Sequence, residues 1–323
     1  MSFNKSKLYL FVSISALLLS ACGEVNEQKN DFAHIERAKA YQSQGQYKAA
    51  TIEYRSALKK AGTDISAAVQ YADMMNHLGR YSEALNLLEQ VNGTKTKFYY
   101  LELVETYQGL KKYRSASDTI KEHLPVDDIR TKHLRANILL GLGELEPAEV
   151  IYQELLDQNA KDYEAMLGKA TALIRRNQSD QSLNLIEQID LKSEFSVKSR
   201  ILKAGMQINQ EKLELAEETL SEILSNLRNT DIMEPDKATV LERLAYVLTR
   251  QGRSNEAYIY TKLLSEAFPG SNEVKEKYQL AIEKLQSSEL DAATEILLDI
   301  LSDYPNYKQG TQLLGVISYL QGD

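Results

Sequence analysis

The chain has 323 residues and a formal net charge of −8, with an isoelectric point near 5.3. Because it has no surplus of basic residues to neutralise a phosphate backbone, the composition argues against nucleic acid as a partner. Hydrophobic residues make up 43% and charged residues 26%, with five prolines and no tryptophan, which is typical of chains built from amphipathic helices.

The first element is a short apolar run. Lys5 and Lys7 precede "LYLFVSISALLL", and "LSAC" ends at Cys22, the sole cysteine. A run of this length is too short to span a bilayer permanently but suits the core of a secretory signal. Its ending resembles the bacterial lipobox, which implies that residues 1–21 are removed and that Cys22 carries a diacylglycerol with acyl chains such as palmitate. A plain signal peptide with an incidental cysteine is the alternative.

Residues 22–30 would then form a short tether to the membrane. In the lipoprotein family an aspartate after the cysteine commonly retains the protein in the inner membrane, whereas Gly23 and Glu24 follow here. The resemblance therefore implies a lipid-anchored protein that faces the periplasm from the outer membrane.

A repeat of about 34 residues fills the rest of the chain. The stretch "GQYKAA", which begins at Gly45, returns 34 residues later as "GRYSEA". The equivalents of its last small residue are Ala50, Ala84, Ala116, Ala148, Ser182, Ala216, Ala257 and Ala293. The same spacing places the preceding turns at Gly45, Gly79, Lys111, Gly143, Asn177, Glu211, Gly252 and Ser288. Glycine and asparagine, which tolerate the left-handed conformation that ends a helix, occupy five of these eight positions.

Two further sets of positions define a pair of helices in each repeat. Small residues seven positions before the turn predict close helix crossings at Ala38, Ala72, Ala136, Ala170, Ala204, Ala245 and Ala281, with Val104 as the exception. Apolar spacings of three and four predict larger packing groups at Tyr54, Leu88, Ile120, Tyr152, Ile186, Leu220 and Leu297.

This pattern resembles the tetratricopeptide repeat (TPR) family over residues 31–323. The resemblance implies an all-α, right-handed superhelical solenoid of antiparallel helix pairs, with about eight repeats and a half repeat. In that family the first helices line a concave groove. The corresponding partner-binding residues here are Asp73, Asn76, His77, Glu105, Asn137, Arg175, Asn209, Tyr246 and Arg250. The alternative is that these residues form only the solvated side of the superhelix.

Two irregularities interrupt the array. The step between Ala216 and Ala257 is lengthened by "SNLRNTDIMEPDKA" at residues 225–238, which we interpret as a tolerated insertion, with a binding loop as the alternative. The segment 309–323 resembles the first helix of another repeat, with many apolar residues. We expect the sequence to be part of a longer protein; a terminal helix that caps the array is the alternative.

No catalytic or metal-binding constellation is predicted. His34, His77, His123 and His133 are scattered, without the spacing that holds zinc. The glycine-containing stretches lack the spacing of a phosphate-binding loop. We therefore expect no enzyme activity, no cofactor and no small-molecule substrate.

A lipobox followed by a repeat array resembles the TPR lipoproteins associated with exopolysaccharide export and with exosortase (PEP-CTERM) sorting. The resulting hypothesis is a periplasmic scaffold that binds protein partners of the cell envelope, in an assembly or export system. The alternatives are an adaptor for peptidoglycan enzymes and the repeat region of an enzyme with a further catalytic domain.

Overall fold

The computed structural model describes residues 33–60, 65–267, 270–303 and 308–321; Cys22, the apolar run before it and the tether lie outside this part. The described residues form 17 helices and no strand. Helix α1 covers residues 33–43. The others are α2 (Tyr47–Lys60), α3 (Ile65–His77), α4 (Tyr81–Gln90), α5 (Lys97–Gly109), α6 (Tyr113–His123), α7 (Ile129–Leu142), α8 (Leu145–Gln158), α9 (Tyr163–Arg175), α10 (Ser179–Glu187), α11 (Ser196–Asn209), α12 (Leu213–Asn226), α13 (Pro235–Arg250), α14 (Ser254–Ala267), α15 (Gly270–Gln286), α16 (Leu290–Asp303) and α17 (Lys308–Gln321).

Each odd-numbered helix from α1 to α15 is followed by a partner across a short turn. Contacts join α3 with α4, α5 with α6, α7 with α8, α9 with α10, α11 with α12 and α15 with α16. The first helices of neighbouring pairs also contact one another from α3 to α11. This arrangement confirms the predicted all-α array of helix pairs. The chain divides into two compact units, Met1–Thr239 and Val240–Asp323, with the boundary inside α13.

The turns between paired helices lie where the repeat predicts them. All eight predicted positions have positive φ, and at Lys111, Asn177, Glu211 and Ser288 the angle is 57° to 61° although the residue is not glycine. Residues with a Cβ pay a steric cost in this conformation. The geometry of the repeat therefore overrides local preference at these four turns.

Helix packing also follows the predicted register. The reference positions from Ala50 to Ala293 are all buried, and so are the small residues of the first helices. At the one serine in the first series, Ser182 donates its hydroxyl proton to the carbonyl of Ala170 at 3.0 Å. A buried hydroxyl needs such a partner, so Ser182 replaces alanine without an unsatisfied polar group.

Candidate partner-binding groove

A cavity of about 770 Å³ lies against the first helices of the first unit. It is lined from five successive first helices, α3, α5, α7, α9 and α11, and from the start of α13. Five of the predicted groove residues line it: Asp73, Asn76, His77, Glu105 and Asn137.

Two other predicted residues of this unit do not line the cavity. Arg175 is exposed and donates through Nη1 to the carbonyl of Leu140 at 2.6 Å. Asn209 is exposed at the last position of α11. Arg175 and Asn209 each lie two residues before a turn, and so does His77, which lines the cavity. The position of a residue in the repeat therefore does not by itself place its side chain in the cavity.

The last two predicted residues belong to the second unit and contact each other. Arg250 Nη1 donates to the hydroxyl of Tyr246 at 2.7 Å, and the guanidinium carbon lies 5.7 Å from the ring centroid. The pair forms a local cation–π contact along α13.

Among the lining residues that the sequence did not predict, three charged ones share one register. Arg130, Glu164 and Lys198 line the cavity from α7, α9 and α11. Each lies 13 residues before its turn, which is seven residues before the register of Glu105 and Asn137. Residues seven apart share a helix face, so extending the groove register by two helical turns would have found them.

An ion-pair network joins three of the first helices. Arg130 on α7 pairs with Glu105 on α5 and, through Nη1, with Glu164 Oε2 on α9 at 3.3 Å. Asn137 Oδ1 accepts a hydrogen bond from the Tyr152 hydroxyl at 2.6 Å. These contacts fix the lining side chains, so this part of the cavity is preorganised.

Asn76 contributes mainly to packing between pairs. It is 8% exposed, and its Nδ2 donates to Thr106 Oγ1 on α5 at 3.0 Å. The Thr106 hydroxyl in turn donates to the carbonyl of Glu102 at 2.7 Å. Truncation of Asn76 would therefore disturb the α3–α5 contact as well as the cavity wall.

The cavity is acidic. Six carboxylates line it, against one arginine and one lysine: Asp73, Glu105, Glu164, Glu194, Glu234 and Asp236, with Arg130 and Lys198. Burial raises the pKa of Asp73 and of Asp236 above the ordinary value. Burial and then the neighbouring Glu105 raise the pKa of Glu102 to about 8. Crowded, desolvated carboxylates of this kind favour a cationic ligand.

The residues between α12 and α13, 227–234, form a strap that returns to the first helix pair. Asp231 accepts hydrogen bonds from the first two amides of α2, through Oδ1 from Tyr47 at 2.7 Å and through Oδ2 from Lys48 at 3.1 Å. Its own amide donates to the carbonyl of Gly45 at 3.1 Å. The insertion thus contacts residues about 180 positions earlier in the chain, in addition to lengthening one step of the repeat.

A second cluster holds the end of the strap. Glu234 Oε1 accepts from the Tyr47 hydroxyl at 2.6 Å, pairs with Arg228 Nη2 at 3.2 Å and lies 3.8 Å from His77 Nε2. Arg228 Nη1 also donates to the carbonyl of Ser43 at 2.6 Å. The contact with His77 contributes most to lowering the pKa of Glu234 to about 2.

Two features are absent from the described residues. These residues contain no group of three or more histidine, cysteine, aspartate or glutamate side chains that could hold a metal ion. No helix among them has the length and apolar character needed to cross a membrane. The acidic cavity, which five successive first helices line together, is the candidate site of the first unit.

Comparison with known proteins identifies a fold. No protein-family model and no curated protein matches the chain. Two solved structures have a TM-score of 0.52: the APC/C hetero-tetramer Cut9-Hcn1 (11% identity, 85% of this chain, 53% of that one) and the human IFIT1 dimer with PPP-AAAA (13% identity, 86% and 69%).

A TPR protein from Parabacteroides merdae aligns over 90% of this chain and 99% of its own, at 18% identity and a TM-score of 0.42. At identities of 11% and 13%, the two structures with a TM-score of 0.52 indicate a shared architecture. Together with the repeat spacing, the helix pairs give the chain the all-helical fold of a TPR array.

Proposed function

We propose that the chain is a scaffold of the bacterial cell envelope that binds protein partners in the acidic cavity of its first unit. The observation that carries the proposal is that first helices from five successive pairs line one cavity. An extended segment laid along such a surface meets one repeat after another, which is how repeat arrays present long concave binding surfaces.

The charge of the cavity supports a particular kind of segment. With six carboxylates against two cations in the lining, the potential favours a peptide with lysine or arginine side chains. Carboxylates whose pKa is raised by burial, such as Asp73, ionise more readily when a cation approaches. The partner segment is therefore expected to be extended and basic.

The N-terminal sequence supports a location for this scaffold. If Cys22 is lipidated, the short tether of residues 22–30 keeps the array within a few tens of ångströms of the membrane, at roughly 3.3–3.6 Å per residue. We propose an anchor in the outer membrane, with the array in the periplasm, where it would hold components of an assembly or of an exopolysaccharide or protein export system.

Site-specific photocrosslinking in the source bacterium tests the proposal even though the partner has not been identified. A benzoylphenylalanine at Gln108, which lines the cavity, should give crosslinked products with a protein partner under ultraviolet light. The matched control places the same group at Val150 on the second helix α8, which is 59% exposed and outside the cavity lining. Crosslinks at Gln108 that are absent at Val150 support the groove, and the opposite result contradicts it.

Substitution of lining carboxylates tests whether the charge of the cavity recognises the partner. Asp73→Asn, Glu194→Gln and Asp236→Asn together remove three lining carboxylates with little change in side-chain size. The control Asp118→Asn, Glu122→Gln and Asp157→Asn removes three exposed carboxylates from the second helices α6 and α8. Only the first variant should lose the Gln108 crosslinks. Equal loss in both, or loss in neither, would contradict recognition by the acidic lining.

A further inference from the structure

The strap of residues 227–234 closes a loop of contacts within the first unit. Successive helix pairs contact one another from the first repeat to the sixth, and the strap that follows α12 binds the first pair through Asp231 and Arg228. We propose that this strap is a gate on the cavity: when docked it completes the wall, and when lifted it admits and releases a partner segment. The proposal rests on the function proposed above.

The strap supplies a helix cap that the other repeats of this unit lack. No side-chain cap is present at the N-termini of α4, α6, α8, α10 and α12. The equivalent helix of the first pair, α2, receives Asp231 on both Tyr47 and Lys48. The first amides of a helix have no partner within it, so this cap is specific to the docked strap.

The position of the strap fits a wall of the cavity. Glu234 at its end lines the cavity, together with Pro235 and Asp236 at the start of α13. Glu234 Oε1 lies 3.8 Å from Nε2 of His77, which lines the cavity from α3. Docking therefore joins the last lining element to the first and encloses what would otherwise be an open side.

The contacts of the strap are of a kind that water can replace. Asp231 and Arg228 are exposed, and their bonds to Lys48 and Ser43 lie at the surface, whereas the bonds from Tyr47 to Asp231 and Glu234 are partly buried. Ile232 packs against the hydrophobic core of the first repeats, but it is only partly buried. Segments with few buried apolar contacts open at low free energy, so the strap is able to lift while the helix pairs stay folded.

Amide hydrogen exchange tests the docking. In the wild type the amides of Tyr47 and Lys48 should exchange about tenfold more slowly, after correction for intrinsic rates, than the uncapped amides of Tyr113 and Arg114 at the start of α6. Asp231→Ala should remove this difference. The control Asp190→Ala makes the same substitution in another loop, where Asp190 Oδ1 contacts the Lys192 amide, and should leave it unchanged.

Unchanged slow exchange at Tyr47 and Lys48 in Asp231→Ala would overturn the cap. Exchange in α7 and α9 reports whether the variant is folded. If protection is lost there as well, the strap is a structural element of the fold and not a gate, and the proposal fails.

Thiol labelling tests the gating. Gln108→Cys in a Cys22→Ser background places the only thiol in the cavity. Adding Asp231→Ala should speed its reaction with a bulky polyethylene-glycol maleimide several-fold, and should change the rate with N-ethylmaleimide much less. Equal rates for the bulky reagent with and without Asp231 would overturn the gate. Neither experiment uses a partner, so the result is independent of the crosslinking test of the proposed function.

Discussion

The ring of Tyr81 lies directly against Gly109 in the next helix pair, so close that a Cβ on Gly109 would stand 2.3 Å from two ring carbons. Tyr113 makes the same contact with Gly141, at 2.4 Å. The tyrosines after these two turns therefore pack between neighbouring pairs. Glycine in the following first helix is required by this close approach, although glycine is otherwise unfavourable inside a helix.

Gly109→Ala should lower the free energy of unfolding by about 1–3 kcal/mol, because the ring must move or the pairs must separate. The control is Gly315→Ala in α17, where an added Cβ meets no atom within 4 Å. That change should be neutral or should stabilise by up to about 1 kcal/mol through helix propensity. Urea unfolding followed by circular dichroism measures both. A neutral Gly109→Ala would contradict the tight contact.

Glycine should stabilise the turns that now carry other residues at positive φ. Lys111→Gly and Glu211→Gly are each expected to add about 1 kcal/mol, since relief of the left-handed strain exceeds the entropy that glycine adds to the unfolded chain. The converse change, Gly143→Ala, should destabilise by a similar amount although its Cβ has nothing within 4 Å. Thermal or urea unfolding checks the signs. Destabilisation by both glycine variants would contradict the strain.

Docking of the strap should depend on pH through His77 and Glu234. The pKa of His77 is raised from 6.5, first by its contact with Glu234, so its contribution is complete below 6.5 and is lost as the pH rises through the raised value. The pKa of Glu234 is lowered from 4.5 to about 2, so its contribution is present above 4.5 and is lost towards pH 2. Protection of the Tyr47 and Lys48 amides, relative to Tyr113, should therefore be greatest between pH 4.5 and 6.5.

His77→Gln separates this effect from other titrations nearby. Arg228 on the strap also contacts Glu234, and Asp73, Asp236 and Lys198 face this region. The glutamine variant keeps all of these groups. It should lose the decline in relative protection that the wild type shows as the pH rises above 6.5. An identical pH profile in the variant would show that the His77–Glu234 contact does not control docking.

Glu102 should make the first unit less stable as the pH rises. Its pKa is raised from 4.5 to about 8, so the folded state holds its proton more tightly than the unfolded state. The contribution of Glu102 to the free energy of unfolding is therefore fully present below pH 4.5. Between pH 4.5 and 8 it falls by at most about 1.4 kcal/mol per pH unit. Glu102→Gln should flatten that slope, whereas Glu154→Gln on α8, 54% exposed at its side chain, should not. Equal slopes in the wild type and Glu102→Gln would contradict the shift.

The membrane anchor predicted from the lipobox is tested at Cys22. Wild-type protein should incorporate a palmitate analogue in growing cells and remain with membranes in high salt, because several acyl chains hold a protein stably where one does not. Cys22→Ser should lose the label and release a soluble periplasmic form. If the serine variant remains with membranes in the absence of partners, the lipid is not the anchor.

The repeat itself follows from the sequence. The turn residues from Gly45 to Ser288 and the small packing positions recur at nearly constant spacing, and each helix pair needs only its own residues and its neighbours to bury an apolar face. Even the non-glycine turns at Lys111 and Glu211 are located correctly by spacing, with the positive φ that the position requires. Local periodicity is sufficient because the determining contacts are close in the chain.

Which residues line the cavity, and which residues the insertion contacts, depend on the tertiary structure. Small rotations from pair to pair accumulate along an array, and their sum decides which distant residues meet. Asp231 therefore reaches Tyr47 across 184 positions, and Arg175 lies outside the cavity while Arg130 lies inside it. No local sequence pattern specifies the accumulated rotation. The composition of the strap segment therefore predicts a polar loop, but it does not predict that the strap caps α2.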